Sequence, residues 1–130
     1  MIQDTYGVVY AGGSVVTMAR LESIEGTPLD PAEIASVHYT IHEVDHCAVG
    51  VETPVAGHEN QPISPAAVLY AALQTDSTWD VDAEGYNFRY EIDTTTDPAF
   101  PTAGKTYVVR YVVTPLSGQP ILFRFQIEAR

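Results

Sequence analysis

The sequence predicts an all-β protein, an antiparallel β-sandwich of about seven short strands with at most one or two short helical turns. Two alternations and a closing hairpin carry that reading. In YNFRYEID, Tyr86, Phe88, Tyr90 and Ile92 fall on one face, and Asn87, Arg89, Glu91 and Asp93 on the other. In ILFRFQIEAR, Ile121, Phe123, Phe125 and Ile127 oppose Arg124, Gln126 and Glu128. Successive side chains of a strand point to opposite faces, so each pattern marks a strand with one buried face in an antiparallel sheet. TYVVRYVVT and PILFRFQIEA flank PLSGQ, where Ser117-Gly118 supplies the hairpin turn. Phe88, Tyr90, Phe123 and Phe125 are the expected centre of the core.

The remaining elements follow in chain order. Residues 8–21 are β-branched and small, interrupted by Gly12-Gly13, and read as one or two strands, an edge strand kinked at the glycines. In EGTPLDPAEI, Gly26 and Pro28 mark a turn. Asp30, Pro31 and Glu33 then resemble an N-cap with proline at the first helical position, enough for one helical turn. SVHYTIHEV is a strand with Val37, Tyr39 and Ile41 inward and His38, Thr40 and His42 outward, and HCAVGVET is its return strand. Pro54, Gly57, Pro62 and Pro65 make 54–65 a loop, and TTTDPAFPTAGK makes 94–105 a second one. PAAVLYAALQ reads two ways: residues 66–73 as two helical turns, or an edge strand through Val68 and Tyr70. No repeat or linker interrupts the chain, so residues 1–130 read as a single domain, large enough for a core without a disulfide.

Composition narrows the function classes. Six basic residues stand against seventeen acidic ones, a formal charge of −11, and Lys105 is the only lysine. Binding to a nucleic-acid backbone rests on lysine and arginine neutralising phosphates, so nucleic acid is not an expected partner. Such a charge serves solubility. With 45% hydrophobic residues the chain is not a disordered one. The opening MIQDTYG has neither the basic nor the apolar region of a signal peptide, and no apolar stretch reaches the length of a membrane span. A soluble protein made in the cytoplasm is the expectation. Cys47 is the only cysteine, which excludes an intrachain disulfide and reads as a small buried hydrophobe.

Three segments touch known chemistries. HEVDH, His42 to His46, matches the letters of the zincin motif, in which a helix brings two histidines to one zinc and the glutamate polarises a water. The alternating VHYTI before it makes this a strand. On a strand His42 and His46 lie roughly 13 Å apart, too far to share an ion. The extended form of the motif requires glycine where Val49 stands, and nothing in the pattern recruits His58 as a third ligand. Exposed strand and turn histidines are the preferred reading. DVDAEGYNFRYE places Asp80, Asp82, Gly85 and Glu91 at positions 1, 3, 6 and 12 of a calcium loop, with Glu84 at position 5. Its second half alternates as a strand, which aims Glu91 away from the loop, so the reading is an acidic turn, with a site built on Asp80, Asp82 and Glu84 as the alternative. Trp79 with Tyr86, Phe88 and Tyr90 is a possible sugar-stacking platform, although alternation assigns the three strand aromatics to the core first. No GxSxG, GxGxxG or P-loop occurs, and Cys47 and its neighbour His46 would point to opposite faces of a strand.

A TPLDPAEI corner, an alternating strand, Trp79, DAEGYNF and a final long hairpin follow one another in this order. That order resembles the immunoglobulin-like sandwiches of bacteriophage virion proteins and bacterial surface proteins. The paired cysteines of antibody-type domains are absent, and Tyr86 follows Gly85 directly, unlike the usual tyrosine corner. The resemblance implies a non-enzymatic structural protein of a phage-like virion, a head, neck or tail accessory located in the virion and assembled in the host cytoplasm. Its partners would be other protein subunits, in a homo- or hetero-oligomeric assembly. No catalytic residue, cofactor or metal is assigned. Contacts are expected through the 54–65 and 94–105 loops or through an unpaired N-terminal edge strand, whose free N–H and C=O groups invite a further strand. A calcium- or glycan-binding module is the alternative, and a small zinc hydrolase using HEVDH the second.

Overall fold

The computed structural model describes residues 2–22, 26–44, 52–74 and 86–130, and among these nine strands form two sheets. The larger sheet has the order β1 (Ile2–Val9), β9 (Ile121–Ala129), β8 (Thr106–Pro115), β3 (Ile34–Val44) and β4 (Glu52–Pro54), with β5 (Gln61–Ile63) also paired to β3. The smaller has the order β2 (Val16–Ala19), β7 (Tyr86–Glu91) and β6 (Leu69–Gln74). The protein is thus mostly β, in two facing sheets.

The β8–β9 hairpin forms as the alternation requires, in unbroken antiparallel register from Thr106↔Glu128 to Val113↔Ile121. Gly118, at φ 105°, supplies the left-handed residue of its turn. Val37, Tyr39 and Ile41 point inward from β3 as their spacing demands. Asp30 caps a 3₁₀ turn at Pro31–Glu33, its carboxylate accepting from the Ala32 N–H at 2.9 Å.

Several expectations are corrected. Nine strands replace about seven. The pairing is antiparallel except at β1, which lies parallel to β9, Ile2↔Leu122 through Val9↔Ala129. Alternation reveals a buried face but not the direction of a partner from the far end of the chain. β1 begins at Ile2 rather than Val8, and Gly12-Gly13 lie outside the strands. They belong to a turn closed by the Gly13 N–H on the Tyr10 carbonyl at 2.8 Å, and this turn passes the chain to the smaller sheet. The 54–65 segment is not all loop, because β5 pairs with β3 through Val37↔Ile63 and Tyr39↔Gln61. Pro62 is tolerated there since β5 is an edge, where an N–H can be missing. Residues 66–73 satisfy both readings in turn, with a short helical turn at Pro65–Val68 leading into β6.

Asn87 also departs from its expected outward, solvated face: it is fully buried. Its side chain accepts from the Leu21 N–H at 2.7 Å and donates to the Leu21 carbonyl at 2.8 Å. The amide thus acts as a piece of strand beyond the end of β2, and its burial is possible because both its polar ends are bonded.

Tyr111 stands at the centre of the core. It stacks on Phe123 at 5.0 Å and 15°, and meets Phe88 of the smaller sheet edge-on at 4.9 Å. Its hydroxyl reaches Thr17 Oγ1 in β2 at 2.6 Å. Since Thr17 donates its own proton to the Tyr90 carbonyl, 3.1 Å away, Tyr111 is the donor to Thr17. Phe88, Phe123 and Phe125 are buried as expected, and Tyr90 packs on the cluster partly exposed.

Phe125→Ala is expected to cost about 3–5 kcal/mol in urea unfolding, because the ring is buried and its cavity cannot close fully. A cost below about 1 kcal/mol would mean that this face of β9 carries little of the core. Stability is also expected to fall in alkali. Burial pushes the hydroxyls of Tyr111 and Tyr39 well above the ordinary value of 10.0, a direction the Thr17 bond opposes at Tyr111 and Tyr90 reinforces at Tyr39. The unfolded chain therefore ionises first, and stability is complete below pH 10 and lost above it, by about 1.4 kcal/mol per pH unit for Tyr111. Tyr111→Phe should flatten that alkaline decline in unfolding curves taken across pH 9 to 12.

Candidate functional site

The open edge of β1 is where sequence and topology leave the most surface unsatisfied. Arg130 donates its N–H to the Val9 carbonyl at 2.8 Å and accepts from the Ala11 N–H at 2.8 Å. Backbone groups alternate sides along a strand, so the odd-numbered residues of this segment bond to β9 and the even-numbered ones face outward. Among the described residues no strand lies beyond β1. Its side chains alternate in step with the backbone. Val9 is buried, while Tyr6, Val8 and the adjoining Tyr10 are 73%, 56% and 82% exposed, three of the six large exposed apolar residues of the described chain. The outward backbone groups thus belong to residues of the apolar row, Tyr6 and Val8 in full, while at Tyr10 the carbonyl is taken by the Gly13 N–H. A shallow depression of about 370 Å³ runs beside them, lined by Tyr6, Val8, Thr106, Gln126 and Glu128.

Other described edges carry the devices that normally prevent sheet-to-sheet pairing. On the far side of the same sheet β4 has Pro54 and β5 has Pro62. In the smaller sheet β2 has only four residues and β6 is irregular in register between Leu69 and Gln74. β1 has neither proline nor lysine, and its one carboxylate residue, Asp4, precedes the Tyr6–Tyr10 stretch.

The two loops expected to make contacts are fastened together. His58 is buried, with Nδ1 2.8 Å from the Tyr39 hydroxyl and Nε2 2.8 Å from the Asp97 carbonyl. A carbonyl only accepts, so Nε2 carries a proton and donates it to Asp97, while Nδ1 is bonded to the Tyr39 hydroxyl. Gly57 takes φ 82° where the Asp97 carboxylate packs over it, leaving no room for a Cβ. The Ile41 N–H donates to the His58 carbonyl at 2.8 Å, which fixes this turn to β3. Both ring nitrogens are thus occupied, and burial raises the Tyr39 hydroxyl out of range of easy ionisation. The arrangement is a pin between loops, and neither group is free to act as base, nucleophile or metal ligand.

Only part of each of the three motifs lies among the described residues. His42 lies in β3 opposite Pro54, half-buried, and Glu43 is 3.7 Å from Lys105 Nζ. His46 and Cys47 lie outside the described residues, as do Trp79, Asp80, Asp82, Glu84 and Gly85. Glu91 is exposed at the end of β7, opposite Val16. Among the described residues no group of three or more histidine, cysteine, aspartate or glutamate side chains is arranged to hold a metal ion. Phe88 is buried and cannot stack on a sugar, and Tyr86 lies half-buried with the Arg20 guanidinium 5.5 Å from its ring centre. The expectation of exposed histidines in HEVDH meets a half-buried His42, and His58, for which no burial was expected, is drawn inward by two partners distant in sequence. The Tyr6-Val8-Tyr10 row was missed as well. The signal was present as a period of two in YGVVY, obscured by the apolar Val9 beside it.

Compared with known proteins, the chain matches no family model, no curated sequence and no solved structure. No helix is long and apolar enough to cross a membrane among the described residues.

Next to this site, Asp93 accepts from the Thr95 N–H at 2.9 Å and from its hydroxyl at 2.7 Å. These bonds, the hydroxyl's first, hold the Asp93 carboxyl below its ordinary range. A depressed carboxyl stabilises the turn above its unfolded pKa and loses that effect as pH falls through the folded one. Thr95→Ala is therefore expected to move the Asp93 titration, followed by carboxyl carbon NMR, upward. An unchanged midpoint would refute the role given to Thr95.

Proposed function

We propose that this protein is a non-enzymatic assembly module that works by taking an additional strand onto the edge of β1. What carries the reading is the coincidence, on Tyr6 and Val8 and continued by the exposed Tyr10 ring, of exposed apolar side chains with outward-facing backbone groups. Strand addition uses both at once: the backbone supplies affinity and alternate side chains supply specificity. The occupied nitrogens of His58 and the strand placement of His42 and Glu43 favour this over a zinc hydrolase. The acidic composition favours a protein partner over nucleic acid. The order of corner, strand and hairpin resembles the immunoglobulin-like sandwiches of phage virion proteins. On that resemblance the setting is a phage-like virion component, a head, neck or tail accessory outside the packaged genome.

The reading is tested with a short synthetic peptide of alternating valine and lysine, an extended and cationic probe for an acidic edge. Hydrogen exchange should slow at the Tyr6, Val8 and Tyr10 amides when the peptide is added, and Val8→Pro should abolish the effect. The odd-numbered amides already in the β1–β9 ladder should not respond. Absence of protection along β1, combined with tight binding of calcium or a glycan, would transfer the protein to the binding-module class.

A further inference from the structure

We infer that the strand received at β1 is β1 of a second copy of this chain, paired antiparallel about a twofold axis at Val8. The inference rests on the assembly reading above and names its partner. Three observations lead to it.

The first is that the exposed row reads the same in both directions. A twofold axis sets an edge strand against itself antiparallel, as closed dimers require of a self-complementary patch. With Val8 on the axis, Val8 meets its counterpart, Tyr6 meets Tyr10 of the other copy, and Tyr10 meets Tyr6. Every exposed apolar side chain of the row then gains an apolar neighbour, and two of the three pairings are aromatic.

The second is the phase of the backbone. The bonds of Arg130 to Val9 and Ala11 commit the odd-numbered residues to β9 and leave Tyr6 and Val8 facing out, with Tyr10 in the same phase although its carbonyl already accepts from the Gly13 N–H, so the seam centres on the Val8 pair. Pairing about Val8 matches even-numbered residues only with even-numbered ones, so outward N–H groups meet outward carbonyls. An axis displaced by half a residue would match outward-facing groups with groups already bonded to β9. Pairing in this phase would join the two larger sheets edge to edge.

The third is charge. Each copy carries a net −11, so approach is opposed overall. In this register, however, Asp4 falls opposite position 12 of the other copy. The two Asp4 residues are then about 27 Å apart along the seam, at about 3.4 Å per residue. That exceeds the Debye length of about 8 Å in physiological salt. No like charges confront each other between Tyr6 and Tyr10. The repulsion is long-range, and salt removes it.

A single-strand seam is smaller than the roughly 800 Å² per partner of a standard interface, so the dimer forms in a concentration-dependent way. The experiment follows the mass of the full chain by light scattering across concentration, at low and at high sodium chloride. Dimer should accumulate with concentration, and its dissociation constant should fall several-fold as salt rises. Val8→Lys should weaken it at least tenfold with an unchanged circular dichroism spectrum. A second variant does not depend on that comparison. Hydrogen-bonded antiparallel pairs have Cα atoms about 5.5 Å apart, within the range a disulfide spans. V8C in a C47S background should therefore cross-link to a covalent dimer under mild oxidation, whereas L116C, at an exposed hairpin tip, should not. A wild-type chain that stays monomeric at all concentrations, or a V8C variant that cross-links no faster than L116C, overturns the second-copy assignment. If the valine–lysine peptide still protects β1 in that case, the edge takes a foreign strand and the assembly reading stands. If it does not, both fall together.

Discussion

The hydroxyl of Tyr111 is the constraint on which the two-sheet arrangement depends. Two apolar sheet faces can slide over one another at little cost, since burial has no preferred direction. A buried donor cannot, because leaving it unbonded costs about 1–3 kcal/mol. Tyr111 lies in β8, at the middle of the larger sheet, and its one polar atom finds Thr17 in β2 of the smaller. That bond sets the offset of the sheets. The stacked and edge-on rings of Phe123, Phe88 and Phe125 then pack around a ring whose position is already determined. Asn87 repeats the device at the border of the smaller sheet, where a buried amide holds the Leu21 backbone as another strand would.

With the sheets locked, the loops and edges take on distinct roles. The 54–65 and 94–105 segments meet beside the middle of β3, where His58 bridges Tyr39 and the Asp97 backbone. Once bridged they are part of the scaffold. The sheet edges diverge in the same manner. Prolines in β4 and β5 close one side of the larger sheet, and the other side ends in β1, without such protection. An asymmetry of this kind leaves one side of the larger sheet unpaired among the described residues. It also explains why β1 can be both integral and available. Its odd-numbered residues are bound into the parallel ladder with β9, and only the even-numbered half of its backbone is exposed.

Much of the architecture was legible in the sequence, and the reasons can be read from particular residues. Period-two alternation identified the inward faces of β3 and β9 and the hairpin joining β8 to β9, since a strand's faces are decided by neighbours two positions away. Asp30-Pro31 announced a capped turn because capping is local too. The same reasoning failed at Asn87 and His58. Both are polar residues that burial would penalise, and both are buried because bonding partners are supplied from 66 and from 19 and 39 positions away. No short window of sequence contains those partners.

What the sequence by itself determined is the composition of each strand: which residues alternate, where the turns fall, and that the chain is acidic and mostly β. The tertiary structure decided which strand lies beside which. The β1–β9 pairing joins the two ends of the described chain, and it does so in parallel, which no alternation specifies. It is that pairing, made through the odd-numbered residues, that turns Tyr6, Val8 and Tyr10 outward in backbone as well as side chain. A strand's pattern states that it has two edges and two faces. Only its neighbours determine which of them remain open.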